Sequence, residues 1–353
     1  MLGQYTKAEK LGNQVLDART RFLGVEHPDT LYAMGHIAAI YQDMGRYTEA
    51  EKLGNQVLDA TTRILGVEHP QTMSAMLNLA VTYGYLGKYT EEEKMEIQVL
   101  DLRNRILGEE HPNTINAMAL LAVTYRNRGK YTEAEKLNIQ VLDANTRSLE
   151  VDHPGTFNAM SNLAATYQKM EKYTEAEKLH IQVLDGRTRI LGVEHPDTIY
   201  AMALLAATYQ NMGRYIEAEK LGIQVLDGRT RILGVDHPDT INAMALLAET
   251  YQNMGRYVEA EKLGIQVLDG RTRILGVEHP DTINAMANLA EIYQKLGRYT
   301  DAEELDVQAQ KTKNKVPAEE SPQMISTMAN VQEAHKTQDV GVKITVPEEE
   351  RSD

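Results

Sequence analysis

The polar and apolar positions of the chain follow one pattern that returns every 42 residues. In the copy that spans residues 238–275, apolar residues recur three and four positions apart, first at Ile241, Met244, Leu247, Ala248 and Tyr251, then at Tyr257, Ala260, Leu263, Val267, Leu268, Ile274 and Leu275. This spacing places each set on one face of an α-helix. Each copy therefore predicts two helices, a helix A of about 17 residues and a helix B of about 20 residues.

Proline and glycine mark the ends of these helices. Pro238 suits the first position of helix A, where its missing N–H group costs nothing, and Gly255 suits the residue just after the end of that helix. Gly276 closes helix B in the same way. The connections are so short that helices A and B should form a tight antiparallel hairpin.

The repeat runs along nearly the whole chain without insertions. Its clearest marker is a His-Pro dipeptide at His27, His69, His111, His153, His195, His237 and His279. Gly-(Arg/Lys)-Tyr recurs with the same period, as at Tyr47 and Tyr257. A fixed period of this length is typical of one helical hairpin stacked many times in a row.

The consensus Met-x-x-Leu-Ala-x-x-Tyr, followed by Gly-(Arg/Lys)-Tyr-x-Glu-Ala, resembles the tetratricopeptide repeat (TPR). The 42-residue period, with Leu-Gly-x-(Glu/Asp)-His-Pro between hairpins, resembles the kinesin light chain type, and similar long arrays occur in fungal signalling proteins. The resemblance covers roughly residues 1–335. It implies an all-α fold, a TPR-like right-handed superhelical solenoid of antiparallel helix hairpins.

The pattern also predicts the organisation of the chain. Residues 1–316 are expected to form the array, in which an unpaired helix B at residues 3–24 precedes seven hairpins. The apolar side chains of Leu11 and Val15 should then be partly uncovered. Residues 317–336 are expected to form a degenerate capping helix, and residues 337–353 an acidic, disordered tail. Further repeats or another domain N-terminal to Met1 are an open expectation.

The composition of the chain excludes several classes of function. The chain lacks cysteine, which excludes disulfides, thiolate metal sites and a cysteine nucleophile. Its net charge of −14 argues against nucleic acid as a partner. Neither a signal peptide nor an apolar run of about 20 residues is present, so we expect a cytoplasmic protein that does not bind membranes. Phosphate-loop, nucleotide-fold and hydrolase motifs are missing, so we expect no enzyme, cofactor or metal.

Two repeated polar features favour structural roles. The His-Pro histidines lie one repeat apart, which makes a row rather than a metal-binding cluster, and we interpret them as packing or hydrogen-bonding at the start of helix A. Asp and Arg recur four positions apart on helix B, as in Asp227 and Arg231, where such pairs stabilise a helix surface.

One stripe on helix A, away from the apolar face, is the candidate binding site. By resemblance, helix A lines the concave groove of a TPR array. The predicted groove residues are Tyr32, Asn78, Asn116, Asn127, Asn158, Asn162, Lys169, Tyr200, Asn211, Asn242, Asn253, Asn284, Asn288 and Lys295. Asparagine donates and accepts hydrogen bonds at once, which suits the backbone of an extended peptide. Acidic ligand residues are expected near Arg126 and Lys169, and basic ones near Glu249 and Glu291.

The sequence therefore predicts a non-enzymatic protein–protein interaction scaffold that binds a peptide or partner helix in this groove. The alternative is the C-terminal repeat sensor region of a larger NTPase-type signalling protein truncated at its N-terminus. A motor-adaptor role is implied by the resemblance alone, because the chain has no heptad coiled coil.

Overall fold

The computed structural model of the protein describes residues 2–149 and 152–313, with side chains from residue 7 onward. These residues are helical apart from short connections, and they divide into two compact units, one ending at Lys130 and the other beginning at Tyr131. Each unit is an all-α solenoid of helix hairpins, as predicted. The predicted cap at 317–336 and tail at 337–353 lie outside the described residues.

The described part of the first unit contains six helices. They are α1 (Leu2–Leu23), α2 (Pro28–Asp43), α3 (Tyr47–Leu65), α4 (Pro70–Tyr85), α5 (Tyr89–Leu107) and α6 (Pro112–Asn127). Helix A and helix B pair in the hairpins α2–α3 and α4–α5, and each helix B also packs on the helix A that follows it.

The second unit continues the same alternation. Its described helices are α7 (Tyr131–Ser148), α8 (Pro154–Lys169), α9 (Tyr173–Leu191), α10 (Pro196–Asn211), α11 (Tyr215–Leu233), α12 (Pro238–Asn253), α13 (Tyr257–Leu275), α14 (Pro280–Lys295) and α15 (Tyr299–Lys313). The hairpins are α8–α9, α10–α11, α12–α13 and α14–α15, and α7 packs on α8.

Each helix A begins at its His-Pro dipeptide. The Nδ1 atom of His237 accepts a hydrogen bond from the backbone N–H of Asp239 at 3.2 Å, and Pro238 occupies the start of the helix. The same histidine cap occurs at His27, His69, His111, His153, His195 and His279. A side-chain cap of this kind contributes about 1 kcal/mol to helix stability. The row of histidines is therefore structural, as interpreted.

Glycine ends helices of both types in the left-handed region of backbone conformation. Gly255 follows helix A with φ of 75°, and Gly276 follows helix B with φ of 87°. At the A–B turn of one repeat, Glu171 takes the place of this glycine and has φ of 59°. A residue with a Cβ atom is strained there.

Glycines within helix B let a neighbouring helix approach closely. On Gly228, an added Cβ would lie 2.6 Å from Cδ1 of Ile199, and on Gly270 it would lie 2.6 Å from Cδ1 of Ile241. Both isoleucines are buried. The loss of helix propensity at these glycines is thus offset by tight packing within the hairpin.

Helix α1 exposes apolar side chains that are covered in other repeats. Val15 is 40% exposed and Leu11 is 61% exposed, whereas Val57 and Val225, which occupy the register of Val15, are buried. The prediction that Leu11 and Val15 are partly uncovered is confirmed.

Candidate functional site

The predicted groove residues of the first unit all lie on helices A. Tyr32 on α2, Asn78 on α4 and Asn127 on α6 are exposed, and Asn116 on α6 is half-buried. The ring of Tyr32 packs edge-on against His36, with a centroid distance of 4.4 Å. The same stripe also contains buried apolar residues, namely Val81, Tyr85, Leu120 and Val123. The polar face of the first unit is therefore interrupted.

In the second unit, the predicted residues form a more open face. Those that are exposed are Lys169, Asn211, Asn242, Asn253, Asn284, Asn288 and Lys295; those that are half-buried are Asn158, Asn162 and Tyr200. Buried residues of the same helices, such as Met244 and Leu289, face the core. The amphipathic pattern thus leaves these polar side chains accessible to a partner.

Neighbouring helices A are joined directly. In the first unit, Nε2 of Gln42 on α2 donates to the backbone oxygen of Asn78 at 2.9 Å and to Oγ1 of Thr82 at 2.6 Å. In the second unit, Nε2 of Gln168 on α8 donates to Oγ1 of Thr208 on α10 at 2.8 Å. These hydrogen bonds hold successive helices A side by side, so their exposed side chains share one surface within each unit.

Two of the predicted asparagines already have partners inside their own hairpin. Nη2 of Arg187 on α9 donates to Oδ1 of Asn158 at 2.9 Å, and Nη2 of Arg271 on α13 donates to Oδ1 of Asn242 at 3.3 Å. Arg187 is buried. Sequence reasoning missed this role, although an arginine that recurs 29 positions after the polar residue was a visible signal. Asn158 and Asn242 thus help to support buried or half-buried arginines.

The charges on helix A differ from the prediction in one respect. Lys169 and Lys295 are exposed, as are Glu249 and Glu291. Arg126, however, is buried at 6% exposure, so the expectation that it meets acidic ligand residues is wrong.

The basic residue of Gly-(Arg/Lys)-Tyr ties consecutive hairpins together. Nη1 of Arg256 lies 2.5 Å from Oε1 of Glu219 on the preceding helix B, and its guanidinium lies 4.4 Å from the ring centroid of Tyr251 on helix A. Lys88 makes the equivalent pair with Glu51 in the first unit. These contacts account for the tyrosine near the end of each helix A, which lies under the cation of its own repeat.

The Asp and Arg pairs of helix B are structural as well. Arg231 lies between Oε1 of Glu194 at 2.6 Å and Oδ2 of Asp227 at 3.4 Å. Arg273 lies between Asp236 at 2.9 Å and Asp269 at 3.0 Å. These ion pairs agree with the interpretation that the helix B arginines stabilise the surface.

A buried polar position on helix B went unnoticed in the sequence. Where four other copies have glycine and the last has Asp306, three successive copies carry Glu96, Asn138 and His180, each at 3% exposure or less. Oε2 of Glu96 and Nε2 of His180 have no hydrogen-bond partner. Burial raises the pKa of Glu96 to about 8 and lowers the pKa of His180 to about 4.

Glu92, one turn before Glu96, replaces an alanine of the other repeats. Burial raises its pKa to about 7, while Thr124 and Arg128 oppose this shift. Gly84 on α4 makes room for the carboxylate, because a Cβ there would lie 2.5 Å from Oε1 of Glu92. This pair of buried carboxyl groups is specific to the first unit.

The described helices and side chains contain neither a membrane-spanning helix nor a metal-binding cluster. None of the described helices has the length and apolar character needed to cross a membrane. Within the described ranges, no group of three His, Asp or Glu residues is arranged to hold a metal ion.

These features define the class of the protein: a helical-repeat protein built from stacked A–B hairpins. The tetratricopeptide repeat family model matches residues 1–59, 32–103, 94–147, 117–189, 155–211, 199–256 and 243–315. The chain belongs to the tetratricopeptide repeat family, and such arrays are protein–protein interaction scaffolds. A search of curated protein sequences found no significant match.

Its repeats are of the kinesin light chain-like type. They are 31% identical to the nearly identical TPR-like repeats, solved by crystallography, of a Podosopora anserina protein assigned as a kinesin light chain. That match covers 59% of this chain and 99% of the other, with a TM-score of 0.52.

Two more distant structures share the fold. The apo quorum sensor NprR of B. thuringiensis has a TM-score of 0.64 at 17% identity, covering 84% of this chain and 80% of that one. A Pyrococcus horikoshii signal transduction ATPase with numerous domains, which has a tetratricopeptide repeat sensor, has a TM-score of 0.55 at 15% identity, covering 88% of this chain and 44% of that one. At these identities the likeness concerns the fold alone.

Proposed function

We propose that the protein is a non-enzymatic scaffold that binds a peptide or partner helix along the exposed face of its helices A. The observation that carries this proposal is the set of exposed polar side chains on α10, α12 and α14, above all Asn211, Asn253, Asn284 and Asn288. Asparagine amides at such positions can donate to a carbonyl and accept from an N–H group of an extended backbone.

Charge on the same face adds selectivity. Glu249 and Glu291 favour basic ligand residues over α12 and α14, whereas Lys169 favours an acidic residue over α8. Because all three are exposed, these contacts affect the association rate and the orientation of the partner more than its affinity.

The test is affinity capture with the full chain and an asparagine-to-alanine variant at Asn211, Asn253, Asn284 and Asn288, with partners identified by mass spectrometry. Asn158 and Asn242 are left unchanged because they accept hydrogen bonds from Arg187 and Arg271. The matched control replaces exposed threonines on helices B, at Thr132, Thr174 and Thr300, with alanine.

Loss of four hydrogen bonds worth about 0.5 kcal/mol or more each should weaken capture about 30-fold. The control should capture the same partners as the wild type, and both variants should keep their helicity and melting temperature. Unchanged capture by the asparagine variant refutes the proposed site.

The alternative from the sequence is a repeat sensor within a larger NTPase-type signalling protein. The fold similarity to the TPR sensor of the P. horikoshii ATPase supports it. A gene sequence that encodes a phosphate-binding loop in the same polypeptide would favour this function, and heptad repeats would favour an adaptor.

A further inference from the structure

Three helices B of the second unit, α9, α11 and α13, each end in an exposed apolar group. We call this surface the turn edge. Its residues are Ile190, Leu191, Val193, Ile232, Leu233, Val235, Ile274, Leu275 and Val277, and each is between 37% and 53% exposed. Isolated exposed apolar residues are common on protein surfaces, but here nine large ones recur in one register. Such clusters mark interaction sites.

Hollows lie beside the turn valines. Val193 borders a hollow of about 120 Å³ that also includes Gln224, Asp227 and Gly228 of the next helix B, with the buried residues Ile199 and Met202 at its wall. The turn edge therefore has a concave site in which an apolar side chain can be covered.

A larger hollow of about 500 Å³ lies at the same register two repeats later. Val277 borders it together with Val307, Gln308, Lys311 and Thr312. Val277, Gln308 and Thr312 occupy the register of Val193, Gln224 and Gly228. Because the site recurs with the repeat, a partner can place successive apolar side chains along the edge.

Carboxylates outnumber guanidinium groups at this edge. Arg231 is shared between Glu194 and Asp227, and Arg273 between Asp236 and Asp269. The four carboxylates are each more than 60% exposed. Arg229 and Arg271 also lie at these helix ends, where they donate to the backbone oxygens of Asp239 and Asp281. With the side chains of Asp239, Glu278 and Asp281 included, the edge carries seven carboxylates against four guanidinium groups, so it attracts cationic groups.

From this combination we infer that the turn edge of the second unit is a second docking surface, separate from the helix A face, for a cationic amphipathic protein segment. Apolar side chains of the segment fill the hollows beside Val193 and Val277, and its Lys or Arg side chains meet the surplus carboxylates. Anionic lipid surfaces and nucleic acids carry the wrong charge for this edge.

The experiment measures binding of a fluorescein-labelled amphipathic Lys/Leu helical peptide to the full chain by fluorescence anisotropy. An otherwise identical Glu/Leu peptide is the charge control. The edge variant carries Val193→Asn, Val235→Asn and Val277→Asn. The control variant carries Ile216→Asn and Val258→Asn, which replace apolar residues that are 73% and 53% exposed at the opposite ends of α11 and α13.

The Lys/Leu peptide should bind the wild type and the control variant with the same affinity and bind the edge variant at least tenfold more weakly. Asp227→Asn combined with Asp269→Asn should weaken binding and reduce its salt dependence. Equal affinity for edge and control variants, or equal binding of the Glu/Leu peptide, overturns the inference. A wild-type dimer in sedimentation experiments that the edge variant converts to a monomer also overturns it, because the surface would then bind a second copy of this chain.

Discussion

The contact between Gly186 on α9 and Phe157 on α8 gives a quantitative test of how the hairpins pack. A Cβ on Gly186 would lie 2.5 Å from Cε1 of the phenylalanine ring, about 1 Å inside an ordinary carbon–carbon contact. Both residues are buried, and a phenyl ring cannot bend away as a flexible side chain can. Gly186→Ala should therefore force the ring or the helix to move.

Two opposing terms set the size of this effect. Alanine gains about 1 kcal/mol over glycine in a helix interior, whereas overpacking a well-filled core costs about 1–3 kcal/mol. Because the clash involves a rigid ring, we expect the upper part of that range and a net loss of about 1–2 kcal/mol. Gly35→Ala on α2 is the control, since its Cβ would meet nothing within 4 Å, and it should gain about 1 kcal/mol.

A double-mutant cycle identifies the cause. Phe157→Leu in the Gly186→Ala background recreates the pair Leu31 and Ala60, which pack together in the first unit. Urea unfolding followed by far-ultraviolet circular dichroism should show recovery of most of the loss, with a coupling free energy of about 1 kcal/mol or more. If Gly186→Ala stabilises the protein as Gly35→Ala does, or if Phe157→Leu brings no recovery, the packing argument is wrong.

Two further predictions concern strain and pH. Glu171→Gly should raise the free energy of unfolding by about 1 kcal/mol, because it removes the left-handed strain at φ of 59°; an unchanged urea midpoint contradicts this. Glu96 stays protonated in the folded first unit up to about pH 8, whereas its pKa in the unfolded chain is near 4.5. Its raised pKa means that unfolding releases a proton between these values, so the contribution of Glu96 to stability is full below about pH 4.5 and falls by about 1.4 kcal/mol per pH unit as the pH rises toward 8. The raised pKa of Glu92 adds a fall of the same sign up to about pH 7. Glu96→Gln should therefore reduce the slope of stability against pH in urea unfolding and flatten it between about pH 7 and 8, and a profile identical to that of the wild type contradicts the burial argument.

At the candidate site, the sequence predicts which helix each residue lies on but not whether its side chain is accessible. The register of the stripe placed every predicted groove residue on a helix A, because a 3.6-residue period depends on local spacing alone. The accessibility of each position depends on neighbouring hairpins, which is why Tyr85 and Arg126 are buried in the first unit. The hydrogen bond from Arg187 to Asn158 joins two helices and has no counterpart in the pattern of a single helix.

The repeat, the ends of the helices and the family follow from the residue pattern alone. Histidine, proline and glycine act on the backbone within a few residues, so His237, Pro238 and Gly255 specify the ends of helices without reference to the rest of the fold. Which side chains of one repeat meet the next depends on how the hairpins pack. That packing buries Glu96 and His180, which shifts their pKa values, and leaves the turn edge beside Val193 exposed. The physical reason is that burial and electrostatics depend on packing between hairpins, whereas helix formation depends mainly on residues close in sequence.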